Sequence, residues 1–303
     1  MPANLKTGVS IVIPTFGREE VLCETVARAA ELEPEEILVV DQTRDHQPAT
    51  LERLHRFEAG GIARRIVLPA PSIPRAMNTG LVGARGPVVL FLDDDVVPDK
   101  NLLAEHARAF ASDPGIWAAV GQVLQPGEEP LPLKPGEPFR FNSVEPRDLD
   151  LAIACNFAVR RDQAIRIGGF DENFVMAAYC FETEFALRVL DSGGRVRFVP
   201  QASIRHLRAE RGGTRAHGHH LTTASPAHSV GAHYFYLLRN PPAVAAGKSA
   251  ARVLRAIRTR HHLARPWLAP VTMIAEIRGF VLARKLHAAG PRLLGTSDGG
   301  AAH

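Results

Sequence analysis

Three carboxylates stand side by side at Asp93, Asp94 and Asp95. Adjacent like charges repel one another, and burial sharpens that repulsion. A cation relieves it. Mg²⁺ commonly takes one or two carboxylates together with the oxygens of a substrate phosphate, so the triplet points to divalent-ion and phosphate chemistry. The plain alternative is a solvated acidic loop. Against it stands the run that delivers the acids, Val88 to Leu92, apolar without a break. Such a run is too short for a buried helix and reads as a strand covered on both faces. In open α/β sheets, ligands bind in the crevice beyond the carboxyl ends of the strands, where these acids would sit.

Other groups suited to such chemistry stand where short elements start or stop. Pro14, Thr15, Phe16 and Arg18 follow the apolar stretch Val9 to Ile13, where their backbone could frame a nucleotide or simply turn the chain. Asp41 ends the run Ile37 to Val40, as a ligand group or as a turn cap. Arg75 and Asn78 lie one turn apart at the start of a helical stretch, within reach of a cleft or on the surface. Glu182 and Glu184 open a helix over 181–190, where an acid also complements the helix dipole. His206 follows a strand expected at 195–199.

The elements that must position these groups alternate regularly. Strands are expected at 9–14, 37–40, 63–68 and 88–92, with helices at 19–32, 51–57 and 75–84 and a loop at 71–74. That alternation predicts an α/β fold with a mostly parallel, doubly wound sheet. A helix at 101–110, a strand at 117–123 and a five-proline loop at 127–146 follow. A strand at 151–159, a short helix at 161–167, a tight turn at Gly168-Gly169-Phe170-Asp171 and a strand at 195–199 complete this part.

At 303 residues, 46% hydrophobic and 22% charged, the chain can hold one large domain or one and a half. Its three cysteines, Cys23, Cys155 and Cys180, are far apart and fit a reducing compartment better than a disulfide scaffold. The opening residues carry no apolar leader, and no stretch of about 18 uncharged apolar residues exists, so no membrane span is expected. From Arg205 onward there are 15 Lys plus Arg against 3 Asp plus Glu, whereas the earlier part is net acidic. A basic tail suggests an anionic partner. Aromatics do not interleave with its basic residues as stacking on bases would require, which speaks against nucleic acid. Two basic amphipathic helices are expected. Lys248, Arg252, Arg255 and Arg258 share a face of the first, and Met273, Ile277, Phe280 and Arg284 follow helical spacing in the second. His217, His219 and His220 lack the cysteines or spaced acids of a zinc site and read as a mobile polar loop. Residues from about Thr296 read as disordered.

Seven segments, in order, carry a resemblance. They are Val-Ser-Ile-Val-Ile-Pro-Thr-Phe-Gly-Arg (9–18), Ile-Leu-Val-Val-Asp (37–41), Arg-Ala-Met-Asn-Thr-Gly (75–80), Phe-Leu-Asp-Asp-Asp (91–95), Cys-Asn-Phe-Ala-Val-Arg-Arg (155–161), Gly-Gly-Phe-Asp-Glu (168–172) and Phe-Glu-Thr-Glu-Phe-Ala-Leu-Arg (181–188). Together they resemble the family 2 glycosyltransferases of the GT-A fold, over about residues 8–210. The resemblance implies a Rossmann-like catalytic domain with helices on both faces of the sheet, taken as 1–212, followed by a basic helical extension, 213–303. It implies transfer of a sugar, with inversion, from a nucleotide-diphosphate donor to a hydroxyl of a polysaccharide, glycolipid or other glycan precursor.

The roles follow the same resemblance. Asp41 would accept a hydrogen bond from the base, Arg75 and Asn78 would reach base and phosphates, and Asp94 would hold the ribose. Asp95, with His206, would bind Mg²⁺ or Mn²⁺ across the diphosphate. Asp93 would support the loop and the nucleotide, and Arg215 in Gly212-Gly213-Thr214-Arg215 would meet the diphosphate. Glu182 falls at the place of the base, although Phe181-Glu182 replaces the usual Glu-Asp pair; Glu184 is the alternative. Family members often use polyprenyl-linked or surface-polysaccharide acceptors. The expectation is therefore a cytoplasmic enzyme attached peripherally, by its basic helices, to the inner face of a membrane. Two rivals are a catalytically inactive GT-A module and a sugar-phosphate nucleotidyltransferase, which would carry a Gly-rich, Lys-ending phosphate loop where this chain has Pro-Thr-Phe-Gly-Arg.

Overall fold

The structure, a computed structural model, describes residues 8–134, 136–209 and 211–295. The expectations for the opening residues and for the tail from Thr296 fall on residues outside these. In chain order the elements are β1 (Val9–Thr15), α1 (Glu20–Ala30), β2 (Glu36–Asp41), α2 (Pro48–Ala59), β3 (Arg64–Val67), α3 (Ile73–Gly83), β4 (Val88–Leu92), β5 (Val96–Pro98), α4 (Leu102–Ser112), β6 (Ile116–Leu124), β7 (Arg147–Asp148), β8 (Asn156–Arg160), α5 (Arg161–Arg166), α6 (Phe181–Asp191), β9 (Arg195–His206), α7 (Val230–Arg239), α8 (Pro242–Ile257), α9 (Arg260–Ala264) and α10 (Ala269–Ala289).

The unbroken apolar runs become the centre of one sheet, ordered β3-β2-β1-β4-β8-β6-β9-β5, with β7 on β9. Alternate residues of each strand feed opposite faces. Val12, Leu38, Val89 and Phe91 pack one way, and Ile11, Ile13, Val39 and Leu90 pack the other. Both faces are covered, as continuous apolar strands require. On the second face lie Leu22 and Val26 of α1 and Leu102 and Leu103 of α4. On the first lie Met77 and Leu81 of α3 and Phe185 of α6. Helix α3 lies so close to β1 that a Cβ on Gly80 would come 2.2 Å from a methyl of Val12.

The α/β fold with a mostly parallel sheet is as expected; within it β8 runs antiparallel to both β4 and β6. Several element boundaries are corrected. The strand expected at 151–159 begins only at Asn156. The loop at 71–74 already contains the start of α3, with Pro74 in the first turn, where a missing N–H breaks no helical bond. Strand β9 does not stop at Val199. It continues past Pro200 to His206, its pairing with β6 stepping from Gly121↔Val199 to Gln122↔Ser203. The short β5 then pairs antiparallel with its end, Val96 opposite His206.

The helical extension shares this core. Val230, Tyr234 and Ala283 join the first-face cluster, and the Tyr234 hydroxyl donates to Asp171 Oδ2 at 2.8 Å. Contrary to expectation, one segment here, Pro266–Ala289, is long and apolar enough to cross a membrane by length and composition, with 28% of the tested window buried. Glu276 and Arg278, in its middle, break every uncharged run and hide it from a search for one.

Candidate active site

The crevice beyond the ends of β1 and β4 gathers the residues singled out from the triplet. Pro14, Thr15, Phe16 and Arg18 face Asp93, Asp94, Asp95 and His206 across one cavity, which Arg215 also lines. Backbone connectivity fixes the acids: β4 ends at Leu92 and β5 begins at Val96, so the triplet is the turn between them. Pairing of Val96 with His206 brings the imidazole to the same turn.

Within the cavity each acid has its own environment. Asp94 accepts from the Thr15 hydroxyl at 2.7 Å and from Arg18 Nε at 3.1 Å. Burial pushes its carboxyl up to about 7, against the pull of Arg18 and Thr15. Asp95 is 1% exposed. Its Oδ2 accepts from the Ala209 N–H at 2.7 Å and lies 3.4 Å from the Arg18 guanidinium, while its Oδ1 is buried with no hydrogen-bond partner. Burial raises its pKa, with His206 and Arg18 opposing. His206 Nε2 lies 3.3 Å from Asp93 Oδ2 and 3.6 Å from Asp95 Oδ1. Burial alone would lower the imidazole, but the two carboxylates outweigh it and its pKa is raised.

These donors suit a divalent cation. An orphaned buried carboxylate oxygen, a second carboxylate and an imidazole converge, and Asp93, His206 and Cys155 offer ligand atoms within 4.8 Å of one another. Burial drives the Cys155 thiol well above its ordinary range, so it stays protonated. The carboxylates Asp93 and Asp95 offer the oxygen donors that Mg²⁺ and Mn²⁺ favour, and the His206 imidazole, a borderline donor, could complete such a set. Asp93 is thereby added to the expected pair of Asp95 and His206, and Cys155, read earlier only as a free cysteine, is its neighbour.

Arg18 does more than frame the turn. Besides the two acids, it donates to the carbonyls of Ala209 and Arg211, tying the triplet to the chain after β9. Gly212 approaches this turn so closely that a Cβ would sit 2.5 Å from the carbonyl oxygen of Gly17, and its φ of 78° favours glycine.

Glu182 stands in the first turn of α6 with Oε2 buried and unpartnered. Burial raises its carboxyl to about 7, and the charge of Asp93 adds to the shift. Glu184 is different: Arg188 holds both its oxygens at 2.9 Å. The structure thus separates the two candidate bases, one idle and one occupied.

Three expected ligand residues are engaged elsewhere. Asp41 is fully buried and accepts from the Thr43 N–H, from His46 and from Arg65. Burial would raise its pKa, but these bonds outweigh it and hold it low. Gln42, not Asp41, lines the cavity. Asn78 clasps the backbone of Phe170 with both ends of its amide, at 2.8 Å each, and Arg75 pairs with Glu172 at 3.2 Å. Arg75 and Asn78 therefore brace α3 against the 168–172 turn, and neither lines the cavity.

Comparison with known proteins agrees with this architecture. The model of "Glycosyl transferase family 2" matches residues 10–168, more than half of the chain. A probable glycosyltransferase of Bacillus subtilis, YdaM, is 25% identical over 219 residues, 64% of this chain and 49% of that protein. A pre-mycofactocin glycosyltransferase of Mycobacterium tuberculosis is 30% identical over 142 residues, 43% of this chain and 29% of that protein. The chain thus matches about half or less of the length of these relatives. Among solved structures, the Pyrobaculum calidifontis mannosyltransferase PcManGT, with GDP-Man and Mn²⁺, superposes with a TM-score of 0.53 at 18% identity, over 95% of this chain and 80% of that one. Staphylococcus aureus TarS 1–349, with UDP-GlcNAc, gives 0.57 at 13% identity, over 93% and 92%. Fold and sequence agree: this is a GT-A fold, and the chain belongs to glycosyl transferase family 2.

Proposed function

We propose that the protein transfers a sugar from a nucleoside-diphosphate sugar to an acceptor hydroxyl, with inversion, in a metal-dependent reaction. The observation that carries this reading is Asp95 Oδ1, buried without a hydrogen-bond partner where Asp93 and His206 also converge. Glu182 Oε2, likewise buried and unpartnered, is outside the residues that line this cavity but within the field of Asp93. Buried polar atoms are almost always satisfied, so each marks a place for a ligand or a role in chemistry. The complexes of PcManGT with GDP-Man and Mn²⁺ and of TarS with UDP-GlcNAc support a donor of this class.

Asp93, Asp95 and His206 would hold the divalent cation, which as a Lewis acid offsets charge on the departing diphosphate. The chain's own residues do the rest. Arg18 keeps Asp94 and Asp95 in place before substrate arrives. Arg215, on the cavity wall, supplies a second positive charge toward the phosphates. Glu182 takes the proton from the acceptor hydroxyl as its oxygen attacks the anomeric carbon in a single displacement. A carboxyl lifted to about 7 is matched to that work, since a base near the working pH combines availability with driving force.

The extension suits attachment to an anionic membrane surface. Helix α10 buries small and polar residues, Thr272, Ala275, Glu276 and Gly279, and turns Met273, Ile274, Ile277 and Val281 outward. Beside them Leu263 is 82% exposed and Trp267 68% exposed, among Arg258, Arg260 and Arg265. Apolar side chains rimmed by arginine fit the headgroup boundary of an anionic bilayer.

A thermal-shift series with UDP and GDP, with and without Mn²⁺, tests the core of this reading. A nucleotide that raises Tm only with the metal, together with donor hydrolysis, supports it. No shift with either nucleotide would sink it.

A further inference from the structure

The extension and the segment before α6 line a second, half-open cavity of about 510 Å³, within the range that holds small ligands. Tyr179 and Cys180 line it from the catalytic half; His220, His228, Arg252 and Arg255 line it from the extension. None of these groups has a task in the donor cleft.

Among the described residues, positive groups outnumber negative ones on the cavity wall: Arg252 and Arg255 stand against one carboxylate, Glu276, which also lines it and pairs with Arg252 and His233. Arg255 has no side-chain partner among the described residues and is exposed. Arg252 donates to Glu276 Oε2 and to the His228 carbonyl, both at 3.0 Å, so its charge is paired and Arg255 is, among the described residues, the unpaired cation of the wall. His228 uses Nε2 on the Gly218 carbonyl at 2.8 Å and leaves Nδ1 buried and unpartnered. Burial lowers the pKa of His220, and His219, His228, Arg252 and His261 lower it further, the mark of a positive neighbourhood. The unpaired Arg255 guanidinium, with Arg252 beside it, offers a fork of N–H donors that suits the three oxygens of a phosphate ester, while the buried Nδ1 of His228 can accept from a protonated phosphate or donate as imidazolium.

Its position ties it to the base. Cys180 lines the cavity and immediately precedes α6, whose first turn carries Glu182. Burial pushes the Cys180 thiol up to about 11, with Glu182 raising it and Arg252 lowering it, so the thiol lies within the fields of both. The wall is fixed: Met176, Ala178 and Cys180 hold left-handed φ of 62°, 52° and 73°. Gly231 abuts this wall so closely that a Cβ would lie 2.4 Å from the Tyr179 carbonyl oxygen. Non-glycine residues persist in that conformation only where the surroundings impose it.

We propose that this cavity receives the acceptor, and that the acceptor carries a phosphate or diphosphate ester held by Arg252, Arg255, His220 and His228 while its hydroxyl is presented past Cys180 to Glu182. The acceptor role rests on the glycosyltransferase reading above; the anion site does not.

The test is calorimetric titration of the full chain, in EDTA and without nucleotide, with geranyl phosphate, geraniol and glucose 1-phosphate. Saturable binding of one of the two phosphates is expected, weakened at least about tenfold in Arg255→Gln, since hydrogen bonds to a charged group are among the stronger ones. Arg252→Gln should weaken it also. Because that change strands Glu276, its Tm is measured in parallel, and the exposed Arg255 variant decides if it fails to fold. Tighter geranyl phosphate assigns a lipid-linked acceptor, and tighter glucose 1-phosphate a soluble one. Absent binding, binding unchanged in Arg255→Gln, or geraniol binding as tightly as geranyl phosphate would overturn the site. Nucleotide and Mn²⁺ are titrated separately. Their failure with phosphate binding intact overturns the acceptor role alone; the reverse overturns the cavity alone.

Discussion

The donor cleft and the helical extension solve opposite packing problems with similar residues. In β4 every residue from Val88 to Leu92 is buried, and the charges wait at the strand's end. In α10 the order is inverted: Glu276 is buried against Arg252 and His233, while Met273, Ile274, Ile277 and Val281 face outward. A surface helix in water buries its large apolar stripe. Helix α10 exposes these four large apolar residues together with Arg278, Arg284 and Lys285, while Leu282 and Leu286 pack partly on the core. The difference teaches that apolar periodicity locates faces without saying which one points in.

If this contrast is right, changes in the cleft abolish chemistry and changes on the outer face of α10 alter only attachment. Asp95→Ala should have the largest effect, removing metal-dependent turnover by a factor of about 10³ or more, because it deletes a carboxylate from the cation's ligand set. Turnover that survives in EDTA would break the reading. Glu182→Gln should follow, lowering kcat by about 10²–10⁴ while donor affinity, read by thermal shift, persists. In the unaltered protein kcat/KM should rise with pH through about 7, because the carboxyl is active only after it loses its proton and burial delays that loss. The variant should lack that limb.

Arg18→Ala acts on stability. It strands two acids that are both nearly inaccessible, and breaking such a buried pair costs about 3 kcal/mol. Lower Tm, partly restored by Mn²⁺, is the expected outcome in a melt; restoration by Mn²⁺ equal to that in the unaltered protein would argue against a shared role. The smallest effect falls to Trp267→Ala, which should weaken sedimentation with phosphatidylglycerol vesicles several-fold. Equal binding to neutral vesicles would remove the case for arginine at the rim.

Much of the cleft was legible because its chemistry is contiguous in sequence. The acids follow directly on an apolar run, and Thr15 and Arg18 follow directly on another. What stayed hidden depends on partners far along the chain. Asn78 and Arg75 are claimed by Phe170 and Glu172, and Asp41 by Arg65, and no local pattern announces such pairs. Glu184 is the opposite case: its spacing to Arg188 places the two one turn apart on a single helix, a local signal that identifies an occupied acid. Strand β5 has only three residues and ends in proline. Pro200 masked the continuation of β9, since proline ordinarily marks a strand's end or an irregularity.

That continuation sets a rule of arithmetic. Side chains along an extended strand alternate sides with every residue, so His206 meets Asp93 and Asp95 only because the count from Ser203 onward is what it is. Adding or removing a single position there would swing the imidazole to the far side of the ribbon. Within this fold, the length of three residues of backbone shapes the acid cavity as much as any functional group in it.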